Sequence, residues 1–192
     1  MNLEVIKEQL KQDIPEKRYL HTLGVIETAE KLAKRYQADV AKVKLAALLH
    51  DCARGFSDEE LIQFAHHHDI NVDYVYESFP ALLHGPVGAV VAKNKYHITD
   101  EEILHAVAVH TLGDVGMGDV AKILMIADAI EPGRAYRGIE VLREQVAGCH
   151  NNINQAVLCC LEHKIQVVLK SKYLLHPLAV DARNDLLLSI SK

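Results

Sequence analysis

No apolar run in this chain approaches the ~20 residues that a membrane-spanning helix needs. The first twenty residues, MNLEVIKEQLKQDIPEKRYL, are charged and amphipathic and carry no apolar secretory core. A strong charge of either sign is also missing. The formal charge is −5 with both signs mixed throughout, which excludes a general attraction to nucleic acid or to an anionic membrane. Cysteine is sparse: Cys52, Cys149, Cys159 and Cys160 make no disulfide framework at this length and are expected as reduced, buried thiols. Cys160 and His163 fall on one helix face, but two ligands do not make a metal site. Strand-like alternation, low-complexity tracts and internal repeats are absent. What remains is a soluble, cytoplasmic, globular protein, 49% apolar and long enough for one domain with a sizeable core or a tight pair of subdomains. Tryptophan is absent and phenylalanine occurs three times, whereas histidine occurs twelve times. That count directs the search toward a metal centre.

Breakers divide a pattern that is helical almost throughout. Pro15 precedes or opens a helix reaching about Tyr36, and Asp39 caps a second one ending at His50. Ser57, followed by Asp58, Glu59 and Glu60, reads as a capping box, and Thr99 with Glu102 repeats that pattern. Pro80 and His84–Gly85–Pro86 mark a loop, with Pro86 near the first turn of the next helix. Residues 112–119, LGDVGMGD, form a glycine-rich connection that is not a phosphate loop. An apolar helix then runs from about Asp119 to Ile130. The stop Glu131–Pro132–Gly133 follows, then a helix from about Ile139, a long one from about Asn152 to Ser171, and a terminal segment HPLAVDARNDLLL. No linker separates two domains, so the expectation is one all-α domain spanning 1–192.

Helical phase separates the histidines. His21, Val25, Thr28, Ala29, Leu32 and Tyr36 share one face, and Val43, Ala47 and His50 share another. Ile103, Val107 and His110 form a third, with His105 well round from them, and Asp128 lies with Ala121 and Leu124. His21, His50 with Asp51, His110 and Asp128 therefore point toward a core, and His84 joins them from a loop–helix junction. A single buried histidine is usually just a satisfied core residue. Several ligand types aimed at one interior need a common partner, and a divalent cation supplies it. Imidazole and carboxylate without thiolate suit Fe, Mn, Co, Ni or Zn better than a structural cysteine-type zinc site. By contrast, His66, His67 and His68 are consecutive and fan ~100° apart, so they cannot meet one ion. Only His68 continues the Leu61–Phe64–Ala65 face, and the second His–Asp pair, His68–Asp69, reads as a solvated helix end.

The spaced set His21, His50–Asp51, His84, His110 and Asp128 resembles the HD-domain metal-dependent phosphohydrolases. The blocks RYLHTLGVIETA, LLHDCARG, HGPVGA, VHTLGDVGM, ADAIEPGR and YLLHPLAVDARN, in order from 18 to 184, are similar to the bacterial HD-domain hydrolases that split diadenosine tetraphosphate symmetrically into two ADP. The resemblance implies an all-α HD-domain bundle with the metal in the core between helices. The metal-binding part would span about 18–131, and helices from about 139 to 192 would complete the nucleotide pocket. It implies metal ligands at His21, His50, Asp51 and Asp128, with one or two ions, iron first and Mn or Co as alternatives. His84 and His110 would hold a second ion or the phosphates, and with Asp51 they form the catalytic set. Arg18, Arg54, Arg134 and Tyr173 would contact the nucleotide or its phosphates. Two departures stand out: the family commonly has Lys where this chain has Arg54, and AYRG follows Arg134's motif where an aromatic–Pro–Gly sequence is more usual, which leaves any role for Arg137 open.

On this reading the partners are a dinucleoside polyphosphate substrate and a nucleoside diphosphate product, with no nucleic acid and no membrane. A homodimer is compatible but nothing in the sequence requires it. A metal would make hydroxide available near neutral pH, and the arginines would balance growing phosphate charge. Tyr173 either stacks on a base or packs in the core; Glu131 either orders an imidazole or pairs with Arg134; Thr111 is expected to cap a helix end. An HD-domain nucleotidase or phosphodiesterase, a nucleotide-binding sensor and a metal-free bundle are the competing readings. The chain lacks the Gly-Tyr-Pro extension of the cyclic-dinucleotide class.

Overall fold

The apolar periodicity becomes eleven α-helices and one 3-10 turn in the computed structural model, which describes residues 3–150 and 152–191. Met1, Asn2, Asn151 and Lys192, included in the expected 1–192 span, lie outside the described residues. No strand occurs among the described residues. The helices are α1 (Leu3–Asp13), α2 (Glu16–Tyr36), α3 (Val40–Leu49), α4 (Asp58–His67) and α5 (Tyr74–Ser78), then a 3-10 turn (Pro80–Leu83). After it come α6 (His84–Lys95), α7 (Glu101–Val109), α8 (Asp119–Ile130), α9 (Ile139–Gly148), α10 (Ile153–Lys170) and α11 (Pro177–Ile190). No helix among the described residues is long and apolar enough to cross a membrane.

The arrangement follows from α8. Its stretch from Ile123 to Ala129 is buried without a break, so it can only be a central helix. It packs against α2, α3, α7, α9 and α10. Because α8 also carries Asp128, the centre of the core and the centre of the site coincide. The buried stripe of α2 is Thr22, Val25, Ile26, Ala29, Leu32 and Ala33, which turns His21 toward α8.

Local capping chemistry fixes most boundaries. Ser57 and Glu60 form the expected capping box, and the Asp39 carboxylate accepts the amides of Ala41 and Lys42. Two boundaries differ from the sequence reading. The cap of α7 is Asp100, not Thr99: its carboxylate accepts the amides of Glu102 and Ile103, and a short acceptor one residue closer reaches them better. The HGP segment is not a loop, because α6 begins at His84 itself, directly after the 3-10 turn. Gly85 makes this start feasible. A Cβ there would lie 2.5 Å from the Ala108 carbonyl oxygen, so only glycine lets α6 approach the end of α7 this closely. The thiols also divide: Cys52 and Cys160 are buried, whereas Cys149 and Cys159 are only partly so, with Sγ atoms 3.9 Å apart.

Candidate active site

Three histidines occupy the same local position. His50 ends α3, His84 ends the 3-10 turn and His110 ends α7. In each, Nδ1 donates to the carbonyl three residues earlier: Ala47 at 2.8 Å, Ala81 at 2.6 Å and Val107 at 2.7 Å. A carbonyl only accepts, so Nδ1 carries the proton and Nε2 presents its lone pair. These lone pairs converge. His84 Nε2 and His110 Nε2 are 3.0 Å apart, and His50 Nε2 is 3.4 Å from His21 Nε2. Acceptors facing each other at such distances need a proton or a cation between them.

The carboxylates complete the set. Asp51 Oδ1 is 3.4 Å from His84 Nε2 and 3.9 Å from His110 Nε2, while Oδ2 is 3.6 Å from His50 Nε2. Asp128 Oδ1 lies 3.1 Å from His21 Nε2 and 3.9 Å from His50 Nε2. Two triads result, His21–His50–Asp51 and Asp51–His84–His110, each with ligand atoms within 4.8 Å of one another, and Asp51 belongs to both. Ligands bound ~2.0–2.2 Å from a first-row ion sit roughly 3–4 Å from each other, so this donor set fits a divalent metal. Glu131 orders an imidazole and does not pair with Arg134. Its Oε1 is 3.0 Å from His21 Nδ1, and Oε2 accepts the Gly133 amide at 2.5 Å.

Electrostatics agree with a site built for cations. Burial raises the Asp51 carboxyl, but His50, His84, His110 and Arg54 outweigh it and hold the group below the usual carboxylate range. Asp128 is held well below that range: burial opposes ionisation, but the hydrogen bond to His21 and the charges of Lys164 and Arg134 prevail. Burial, with Arg54 nearby, pulls His84 down to about 4, so it is neutral at pH 7. Burial lowers His110 in the same sense, helped by His84 and His50. His21 goes the other way: burial lowers it, but Asp128 and Glu131 more than compensate.

Two cations flank each aspartate. Arg18 Nη1 is 3.4 Å from Asp51 Oδ2, and Arg54 Nε is 3.2 Å from Asp51 Oδ1. Arg134 bonds both the carboxylate and, at 2.9 Å, the carbonyl of Asp128. Lys164 Nζ is 3.7 Å from Asp128 Oδ2 and donates to the His110 carbonyl at 3.1 Å. From Asp128, Arg134 and Lys164 a cavity of about 580 Å³ opens between α8, α10 and the 173–179 segment, walled mainly by apolar side chains, with Tyr136 and His163 also lining it.

These features have counterparts in known proteins. The HD domain family model matches residues 18–133. The chain belongs to the HD domain family. It is 41% identical over 145 residues, 75% of its length and 74% of the relative's, to the "Bis(5'-nucleosyl)-tetraphosphatase, symmetrical" of Staphylococcus aureus (strain NCTC 8325 / PS 47). A protein of the same name from Halalkalibacterium halodurans is 35% identical over 98% of both chains. A crystal structure from Clostridium acetobutylicum, described as a "predicted HD superfamily hydrolase involved in NAD metabolism", superposes with a TM-score of 0.91 at 34% identity over 98% of both chains.

Within this HD domain, His21, His50, Asp51, His84, His110 and Asp128 converge, with Arg18, Arg54 and Arg134 at their edge. Tyr173 does not reach them, nor is it packed in the core; it is 63% exposed, against Phe79. Arg137 lines the cavity, as do Cys160 and His163. Thr111 does not act as a helix cap through its hydroxyl. That hydroxyl sits 3.2 Å from Nε2 of both His84 and His110. His105 pairs with Asp114 at 3.2 Å away from the site, and His68 stacks on Phe64 at the end of α4. Lys164, absent from the expectations above, was open to the same phase test. Ala156, Cys160 and Lys164 fall at i, i+4 and i+8 on the inner face of α10. The tetrapeptide Ala-Leu-Leu-His occurs at 47–50 and again at 81–84, with the alanine carbonyl as the histidine's acceptor in both.

Proposed function

We propose that this HD-domain protein is a metal-dependent hydrolase that cleaves dinucleoside tetraphosphates, diadenosine tetraphosphate foremost, symmetrically into two nucleoside diphosphates. The observation that carries the reading is the pair of triads sharing Asp51, flanked by four cations and opening on a nucleoside-sized cavity. The two tetraphosphatases named above act on such substrates by name and match most of this chain.

His21, His50, Asp51 and Asp128 would hold one ion; His84 and His110, with Asp51, would hold a second or bind phosphate directly. The family resemblance puts iron first, with Mn or Co able to replace it, and imidazole and carboxylate donors without thiolate suit all three. Such an ion supplies Lewis acidity, making water nucleophilic near neutral pH. The chain's own residues do the rest. The neutral His84 keeps its Nε2 lone pair available at pH 7, and Asp51 fixes both halves of the site in register. Arg18 and Arg54 bind phosphate oxygens on the Asp51 side. Arg134 and Lys164 bind them on the Asp128 side, next to the cavity that takes the nucleoside. Attack by water on a central phosphorus forms a new P–O bond and breaks the middle P–O–P bond; the electron pair leaves on the departing nucleoside diphosphate and the proton of the water passes to solvent. The four cations stabilise the charge that grows there. The helices from 139 onward complete the nucleotide pocket of one functional domain.

Protein reconstituted anaerobically with Fe²⁺, or with Mn²⁺ or Co²⁺, and given diadenosine tetraphosphate should yield ADP alone. AMP with ATP as products, or no turnover with any of these metals, would refute the reading.

A further inference from the structure

A dinucleoside tetraphosphate carries two nucleosides, and the cavity beside Asp128 accommodates one. The following rests on the hydrolase reading and concerns the other. Of the three phenylalanines, Phe56 and Phe64 pack together, partly buried, with centroids 5.6 Å apart. Phe79 does not join them. It is 48% exposed, and its ring lies 5.8 Å from that of Tyr173 at a tilt of 34°, a separation typical of aromatic contact. The two rings come from segments far apart in sequence, yet both backbones are fixed. The Phe79 amide donates to Val75 O at 2.8 Å, closing α5, and the Tyr173 amide donates to Val168 O at 3.1 Å, closing α10. The two segments are clasped by His176, which is 3.3 Å from the Asp73 carboxylate and ring-to-ring with Tyr76 at 4.6 Å.

This rigid, water-facing aromatic pair stands at a definite place. Leu82, three residues after Phe79, and Leu174 and Leu175, after Tyr173, line the cavity, so the rings stand at its mouth. Phe79 also opens the 3-10 turn that ends at His84. At ~2 Å rise per residue, its backbone is roughly 10 Å from that of His84, a member of the second triad. That triad meets the same cavity at Thr111, whose hydroxyl is 3.2 Å from both of its imidazoles, so the half of a symmetrically cleaved chain that does not fill the cavity has a short path past it to the exposed rings. Every nucleobase offers a π-face, and stacking on such rings is tolerant of base identity. We infer that Phe79 and Tyr173 form the stacking platform for the nucleobase of the second half of the substrate, making Phe79 a specificity residue for two-nucleoside over one-nucleoside polyphosphates.

The test uses the full-length, metal-loaded protein, its Phe79→Ala and Phe79→Trp variants, and two probes. One is diadenosine tetraphosphate as substrate. The other is adenosine 5'-tetraphosphate, with a single nucleoside, as competitive inhibitor. Phe79→Ala should raise KM for the dinucleotide by roughly 10- to 100-fold, a base-stacking effect, with the change falling on KM far more than on kcat. The Ki of the one-nucleoside probe should stay within twofold, and Phe79→Trp should restore KM. KM and Ki rising together would show that Phe79 only shapes the shared cavity and would overturn the inference, as would an unmoved KM. No turnover by the parent protein would overturn the hydrolase reading and this inference with it.

Discussion

Gly24 is a small residue with a large role. A Cβ there would lie 2.5 Å from Oε2 of Glu131, the carboxylate that orients His21. That carboxylate is already held by His21 and by the Gly133 amide, so moving it sacrifices both bonds. Gly24→Ala should therefore weaken metal binding by roughly 10- to 100-fold, the usual cost of losing an outer-sphere partner, while leaving the fold intact. Competition with a chromogenic chelator would measure it. Asp51→Asn should reduce turnover to background, because its carboxylate belongs to both triads; a stopped assay with dinucleotide would check this. The metal-free protein also has a defined acid response. His84, held near 4 when folded, takes up a proton more readily in the unfolded chain. Its contribution to stability is therefore complete above about pH 6.5 and is lost as pH falls toward 4. His110 acts in the same direction, and the depressed Asp51 and Asp128 extend the loss below 3.8. His21 opposes them, since its raised value favours the folded state below its unfolded pKa. Melting curves of the apo protein should thus move downward in temperature from pH 7 to pH 5; an upward shift would contradict the balance.

At the level of elements, helix ends carry the site, and this explains what could be read in advance. Caps are decided by neighbours three residues away, so Ser57 with Glu60 and the start at Asp39 were legible. So were the inward phases of His21, His50, His110 and Asp128, because an apolar face is periodic. The choice of Asp100 over Thr99 and the helical start at His84 were not, since each depends on competition or on a close approach of two helices. Lys164 shows the limit more sharply: its phase was visible, but its carbonyl partners at 110–111 belong to a distant turn. Gly85 offers a test of the approach. Gly85→Ala would press a methyl against the Ala108 carbonyl and force α6 away from α7, with His84 and His110 on opposite sides of the gap. A loss of about 1–3 kcal/mol is expected, and a Tm lower by several degrees in calorimetry. Arg143 braces the neighbouring turn, donating to the carbonyls of Ile130, Glu131 and Arg134 at 3.1, 2.7 and 3.1 Å.

For the whole molecule, the site is a point where five segments meet: α2, the ends of α3 and α7, the start of α6 and α8. Any ion bound there must cross-link them. At an ion concentration of ~100 Kd the native state gains about 2.7 kcal/mol. For a chain of this size, chelation should then lower Tm by roughly 5–10 °C, measurable by differential scanning fluorimetry. The large cavity was the least legible feature. Its walls come from α8, α9, α10 and the segment before α11, and the last three contribute ordinary leucines whose meeting no local pattern records.

Terminal turns of helices are normally where backbones fray and amides exchange first. Here the last turns at 47–50, 81–84 and 107–110 each have a carbonyl engaged by their own histidine. If those turns open, the imidazoles swing away and the ligand set dissolves. Occupancy of the site is therefore coupled to the slowest rather than the fastest breathing of the backbone. Hydrogen–deuterium exchange should find these three short stretches becoming the most protected in the chain on adding metal, ahead of the middle of the long α10.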